Sequence, residues 1–73
     1  MKNNIYTKEY KKLTAKLIKA RQDSLLTQKD VAKLIKKTQS YISKNEAGQK
    51  KIDIIEMKLL ARIYKKNVLY FIK

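Results

Sequence analysis

The chain carries no proline and a single glycine, Gly48, in 73 residues. Tight β-turns draw on glycine, proline, asparagine and aspartate for their special dihedrals, so a sheet-rich chain of this length would need far more such punctuation. No alternation of apolar and polar residues persists over the length of a strand. Apolar residues recur instead at spacings of three and four, which puts them on one face of a helix. The sequence therefore specifies an all-α chain, with helix boundaries set by capping residues rather than by helix breakers.

A first helix is expected from about Thr7 to Asp23, with Tyr6, Tyr10, Leu13, Leu17 and Ala20 on one stripe and Arg21 beside it. Lys8, Lys11, Lys12, Lys16 and Lys19 cover the rest of its surface, and residues 1–6 read as a flexible basic tail. Thr27 is the next start signal: its hydroxyl can accept from an orphan N–H of the following turn, and Asp30 stands three residues on. It opens a helix from Gln28 to Ile35 with Val31, Ala32 and Ile35 inward. Thr38 opens a third helix, Gln39 to Glu46, in which Ile42 is the clearest core residue, and Gly48 can adopt φ > 0 and end it. Asp53 and Glu56 have capping-box spacing and start a fourth helix to about Lys65, with Ile54, Met57, Leu60, Ala61 and Tyr64 inward. A short fifth helix covers Asn67 to Ile72. One domain, residues 1–73, is expected.

Composition narrows the function. Hydrophobic residues make up 44% of the chain, too many for a disordered one. No apolar run approaches the roughly 20 residues of a membrane span, and the N-terminus lacks a signal peptide's apolar stretch, so a cytoplasmic protein is expected. Cysteine and histidine are absent. Disulfides and thiolate metal sites are therefore excluded, zinc would have to rest on carboxylates alone, and no cofactor, metal or catalytic triad is expected. Nineteen Lys+Arg against six Asp+Glu give a net charge of +13, which attracts polyanions, chiefly nucleic acid or an anionic membrane. Arg21 and Arg62 are the only arginines. A lysine bias of this kind also follows from an A·T-rich genome, so charge alone says nothing about sequence specificity.

The informative segment is Thr27 to Gly48, TQKDVAKLIKKTQSYISKNEAG. Two short capped helices stand about three residues apart. The first has a buried face. The second carries Gln39, Ser40, Ser43, Lys44 and Asn45 and is too polar for burial to explain. A helix-turn-helix needs this pairing: one helix braces, and the other offers hydrogen-bonding side chains to base edges.

The segment resembles the Cro/repressor (XRE) helix-turn-helix family. The resemblance rests on Thr27-Gln28, on Gln39-Ser40-Tyr41-Ile42-Ser43-Lys44, on Glu46, Gly48 and Lys50-Lys51, and on Asp53 to Glu56 with Leu60-Ala61. It covers about residues 13 to 72 and implies a compact five-helix, lambda-repressor-like DNA-binding domain. It also implies roles. Gln39, Ser40 and Lys44 would contact bases; a glutamine amide matches adenine N6 and N7, and Lys44 has the length for guanine O6 or N7 or for a phosphate. Gln28, Lys29, Tyr41, Asn45, Gln49, Lys50 and Lys51 would contact the DNA backbone, fixing register rather than sequence. Arg21 and Glu46 would form a salt bridge between the first and third helices.

Several positions depart from the family pattern. Lys36 and Leu25 stand where glycine is usual, Ile52 where proline is common, and Asn45 where a large apolar residue is frequent. The implied protein is a transcriptional repressor acting on double-stranded DNA, with a palindromic operator bound by a homodimer through Val68, Leu69, Tyr70, Phe71 and Ile72. Two alternatives stay open: an antitoxin that neutralises a toxin protein, and a restriction–modification controller. Control through expression level or a partner is expected rather than through a small molecule.

Overall fold

The computed structural model describes residues 5–72, with side chains from Lys8 onward. Five helices follow in order: α1 (Ile5–Asp23), α2 (Gln28–Ile35), α3 (Gln39–Glu46), α4 (Ile54–Ile63) and α5 (Leu69–Ile72). No strand occurs among the described residues. α1 starts two residues ahead of Thr7, so Ile5 and Tyr6 are helical rather than part of a tail. Residues 1–4 of the expected tail lie outside the described residues. None of the helices is long and apolar enough to cross a membrane.

The caps set the helix starts. Thr27 Oγ1 accepts from Asp30 N at 3.0 Å, and Thr27 N donates to Asp30 Oδ2 at 2.9 Å. That backbone bond holds the exposed Asp30 carboxyl below the usual carboxylate range. Thr38 Oγ1 accepts from Tyr41 N at 3.1 Å. Asp53 Oδ1 accepts from Glu56 N at 2.8 Å, and Asp53 N donates to Glu56 Oε1 at 3.4 Å. Each bond satisfies an N–H that the helix itself leaves orphaned.

The helix ends share one device. Leu26 N bonds to Arg21 O, Lys37 N to Ala32 O, Gln49 N to Lys44 O and Lys66 N to Ala61 O. Each of these closures spans a residue in the left-handed region: Leu25 (φ 60°), Lys36 (59°), Gly48 (76°) and Lys65 (58°). A Schellman-type stop requires that conformation, and only one of the four uses glycine. Leu25 and Lys36 lie where the family pattern has glycine, and their φ values show why. Nothing in the spacing of the sequence pointed to Lys65. A side chain in this region costs roughly 1 kcal/mol through Cβ–carbonyl crowding. Replacing the exposed Lys36 with glycine is therefore expected to stabilise the protein by about 0.5–1 kcal/mol, a rise of a few degrees in the thermal midpoint. An unchanged or lowered midpoint would show that this turn stores no strain.

α2 packs chiefly on α3, and α1 packs on both α3 and α5. The core joins Leu17 and Ala20 of α1, Val31 and Ala32 of α2, Ile42 of α3, Met57, Leu60 and Ala61 of α4, Tyr64, and Phe71 of α5. Burial pushes the Tyr64 phenol far above its ordinary value. Ile54 was expected inward but is half exposed, at 51%. It is the first residue of α4, where the chain has only just reached the core, and Met57 one turn on takes the buried position.

Candidate nucleic-acid interface

The outer face of α3 follows from helical geometry. At 100° per residue, Gln39, Ser40, Ser43 and Lys44 fall within an arc of about 140°, Ile42 and Asn45 fall on the opposite side, and Glu46 lies at the edge of the arc beside Gln39. The burial agrees: all four polar residues are exposed, and Ile42, Asn45 and Glu46 are buried. The three residues expected to contact bases, Gln39, Ser40 and Lys44, thus share one accessible face. Among the described residues, none of their side chains makes a hydrogen bond that would compete with a base edge.

A buried ionic lock orients that face. Arg21 Nε donates to Glu46 Oε2 at 2.6 Å, and Arg21 Nη2 donates to Glu46 Oε1 at 3.1 Å. Arg21 Nη1 donates to Leu26 O at 3.0 Å, in the α1–α2 turn. Gln28 Nε2 donates to Glu46 Oε1 at 2.9 Å, which the family resemblance did not suggest. The carboxylate thereby ties together α1, the first residue of α2 and the last turn of α3. The hydrogen bond to Glu46 pushes the Arg21 guanidinium above its ordinary value, against the opposing effect of burial. Gln28 retains a second amide N–H, so the bond to Glu46 leaves one donor for a phosphate beside the α2 N-terminus.

The connection from α3 to α4 is braced from α1. Tyr10 Oη donates to Lys50 O at 2.6 Å and accepts from Ile52 N at 2.9 Å. Burial pushes the Tyr10 phenol upward, so it stays a neutral donor across ordinary pH. Lys50 Nζ lies 3.2 Å from Glu56 Oε1, 3.4 Å from Tyr41 Oη and 4.5 Å from the Tyr41 ring centroid. The Lys37 ammonium lies 5.1 Å from the same centroid. Lys50 is thus already engaged between α3 and α4, whereas Lys29, Gln49 and Lys51 are exposed. Sequence spacing puts Tyr10 only on the apolar stripe. Its hydroxyl role has no local sequence signal, because its partners are backbone groups about 40 residues away.

Two expected site residues need correction. Asn45 was expected at the DNA backbone, but it is 2% exposed and faces the core. Its position on α3 points inward, as the apolar residue common in the family would require. Neither its Oδ1 nor its Nδ2 has a hydrogen-bond partner among the described residues. Phe71 was expected on a dimer surface, but it is 3% exposed and sits in the protomer's own core. It meets Tyr70 edge to face, with ring centroids 5.0 Å apart. Val68 and Tyr70 are half-buried against the same core, which leaves Leu69 (53%) and Ile72 (54%) as the accessible apolar residues of α5.

Comparison with protein-family models matches the chain to the family described as "Helix-turn-helix" over residues 17–71. No curated protein and no solved structure gives a significant match. The family match spans α2, α3 and both residues of the Arg21–Glu46 lock, and it covers three-quarters of the chain. With a capped bracing helix, a polar exposed second helix and the family match in agreement, the chain belongs to the Cro/repressor (XRE-type) helix-turn-helix family and is a DNA-binding domain of the transcriptional-regulator kind.

Proposed function

We propose that the protein is a sequence-specific repressor that lays the Gln39–Ser40–Lys44 face of α3 in the major groove of an operator. The observation that carries this reading is the pairing of an exposed polar arc on α3 with a buried ionic lock behind it. Rigid backing matters because bidentate readout of a base edge tolerates little misorientation. Gln28, Lys29, Tyr41, Gln49 and Lys51 flank the arc as phosphate contacts, and the net charge of +13 supplies long-range attraction. Blocking polymerase by occupying a promoter-proximal site needs no further domain, and action on such a site places the protein in the cytoplasm.

A two-fold homodimer on a palindromic operator is part of the proposal. Its surface would be Leu69 and Ile72, with Val68 and Tyr70 at the edges and Phe71 supporting from beneath. Half-sites about 34 Å apart would then follow from one turn of duplex. A second reading, binding to a toxin protein, draws on the exposed apolar residues of α4, Ile55 (69%) and Leu59 (40%). A co-purifying protein that protects these residues would favour it.

The test is selection of bound duplexes from a random pool, followed by binding measured against salt. Gln39→Ala is expected to reduce discrimination by about 1–3 kcal/mol at one base pair while leaving non-specific binding intact. Lys51→Ala should weaken all duplexes alike and lower the salt slope by about 0.9. An unaltered selected site for Gln39→Ala would overturn the assignment of α3 as the reading helix.

A further inference from the structure

A cleft of about 500 Å³ opens between the first half of α1 and the α3–α4 connection. Its floor is mainly apolar: Tyr10 and Thr14 of α1 face Ala47, Gly48 and Ile52. A Cβ on Gly48 would stand 3.6 Å from Tyr10 Cδ2 and 3.8 Å from Thr14 Cγ2, so the Gly48 backbone lies close against these two side chains on the floor. The wall is preformed, because the Tyr10 hydroxyl is tied to Lys50 O and Ile52 N. A bound molecule would therefore not have to order this part of the chain first.

The rim is cationic. Lys11 and Lys51 border the cleft, are exposed, and pair with no acidic group among the described residues. The Lys50 ammonium is already held by Glu56 and is not available to a ligand in the same way. A volume in the range of about 300–1,000 Å³, an apolar lining and a few convergent polar groups are the usual features of a small-molecule site. The volume would take a flat ring system, and the two rim ammoniums would take one anionic group on its edge.

We infer that this cleft binds a small aromatic carboxylate, and that its occupation opposes DNA binding. The second half rests on the DNA reading given above. Gln49 and Lys51 line the cleft and are also proposed phosphate contacts, so a carboxylate held there neutralises and redirects the same groups. This would give the DNA-binding domain itself a direct small-molecule control, contrary to the expectation from sequence.

The full chain is titrated with naphthoate and, in parallel, with neutral naphthamide, following backbone amide shifts by NMR. Saturable binding of naphthoate is expected, with shifts confined to residues 10–14 and 47–52. Naphthamide should bind about tenfold more weakly, the value of one charge-assisted contact. Lys11→Glu should remove that preference without moving the thermal midpoint, since Lys11 is exposed and lies outside the proposed DNA contacts. Absence of saturable binding, equal affinity for the amide, or shifts elsewhere would overturn the site. Binding that appears only after deletion of residues 1–4 would overturn it too, since the chain itself would then occupy the cleft. The antagonism is read separately: naphthoate should raise the Kd for the selected duplex, and an unchanged Kd at saturating naphthoate would overturn the coupling. A protein that bound no DNA would sink the DNA reading and with it the antagonism, while the titration would still decide the site.

Discussion

Glu46→Ala is expected to cost about 3–5 kcal/mol, because it strands a buried guanidinium without its anion. The two side chains are 14% and 7% exposed, so water can replace the lost partner only in part. The same change removes the acceptor of Gln28 and so unties the start of α2 from the end of α3. A domain of this size has roughly 4–11 kcal/mol of stability in all, so the substitution removes a large share of it. A urea melt followed by circular dichroism measures it, and a loss below about 1 kcal/mol would mean that the lock contributes little. The double substitution Arg21→Met with Glu46→Leu distinguishes a stabilising pair from a merely indispensable one. It should recover most of the loss, since apolar replacement of a whole buried pair is often neutral or better. The recovered protein should still discriminate its operator poorly, because the bond fixing α3 against Gln28 is gone.

Asn45→Leu is expected to act in the opposite direction and to stabilise the protein by about 2 kcal/mol. Asn45 is 2% exposed, and both its amide oxygen and its amide nitrogen lack partners among the described residues. A buried polar group left unsatisfied costs about 1–3 kcal/mol, and burying a leucine side chain contributes about 1.5–3 kcal/mol. Part of this is offset by overpacking, since leucine is bulkier than asparagine in a filled site. For 73 residues the net gain corresponds to a rise of about 8–16 °C in the thermal midpoint. A midpoint equal to or below the parent's would show that the amide is satisfied in solution or that the site cannot expand. Because Asn45 faces away from the reading arc, operator preference should be unchanged.

The helix starts were legible because their causes are local. Thr27 with Asp30, Thr38, and Asp53 with Glu56 each satisfy backbone groups within one turn, so residue type and spacing suffice to place α2, α3 and α4. The helix ends were only half legible. Gly48 announces itself, but Lys65 adopts the same left-handed geometry with no sequence mark, because tertiary packing overrides a local preference of about 1 kcal/mol. The polar arc of α3 was legible for a similar reason: an eight-residue helix that cannot bury Gln39, Ser40, Ser43 and Lys44 together must expose them.

Other site features depend on how the helices pack, beyond the reach of a single turn. Lys50 read as one more phosphate-binding lysine, until Glu56 and Tyr41 took its ammonium. Asn45 read as a surface residue because its side chain is polar, but its angular position on α3 turns it inward whatever its chemistry. Phe71 read as part of an apolar surface, yet its ring is buried in this protomer's own core. The absence of proline, the single glycine and the three capping signals determined an all-α chain and the boundaries of its reading helix, since hydrogen bonds within one turn settle both. The tertiary structure alone decided which charges stay free, which polar group is stranded and where the cleft lies, because each depends on contacts between different elements, from Lys50 with Glu56 to Tyr10 with the Lys50 carbonyl.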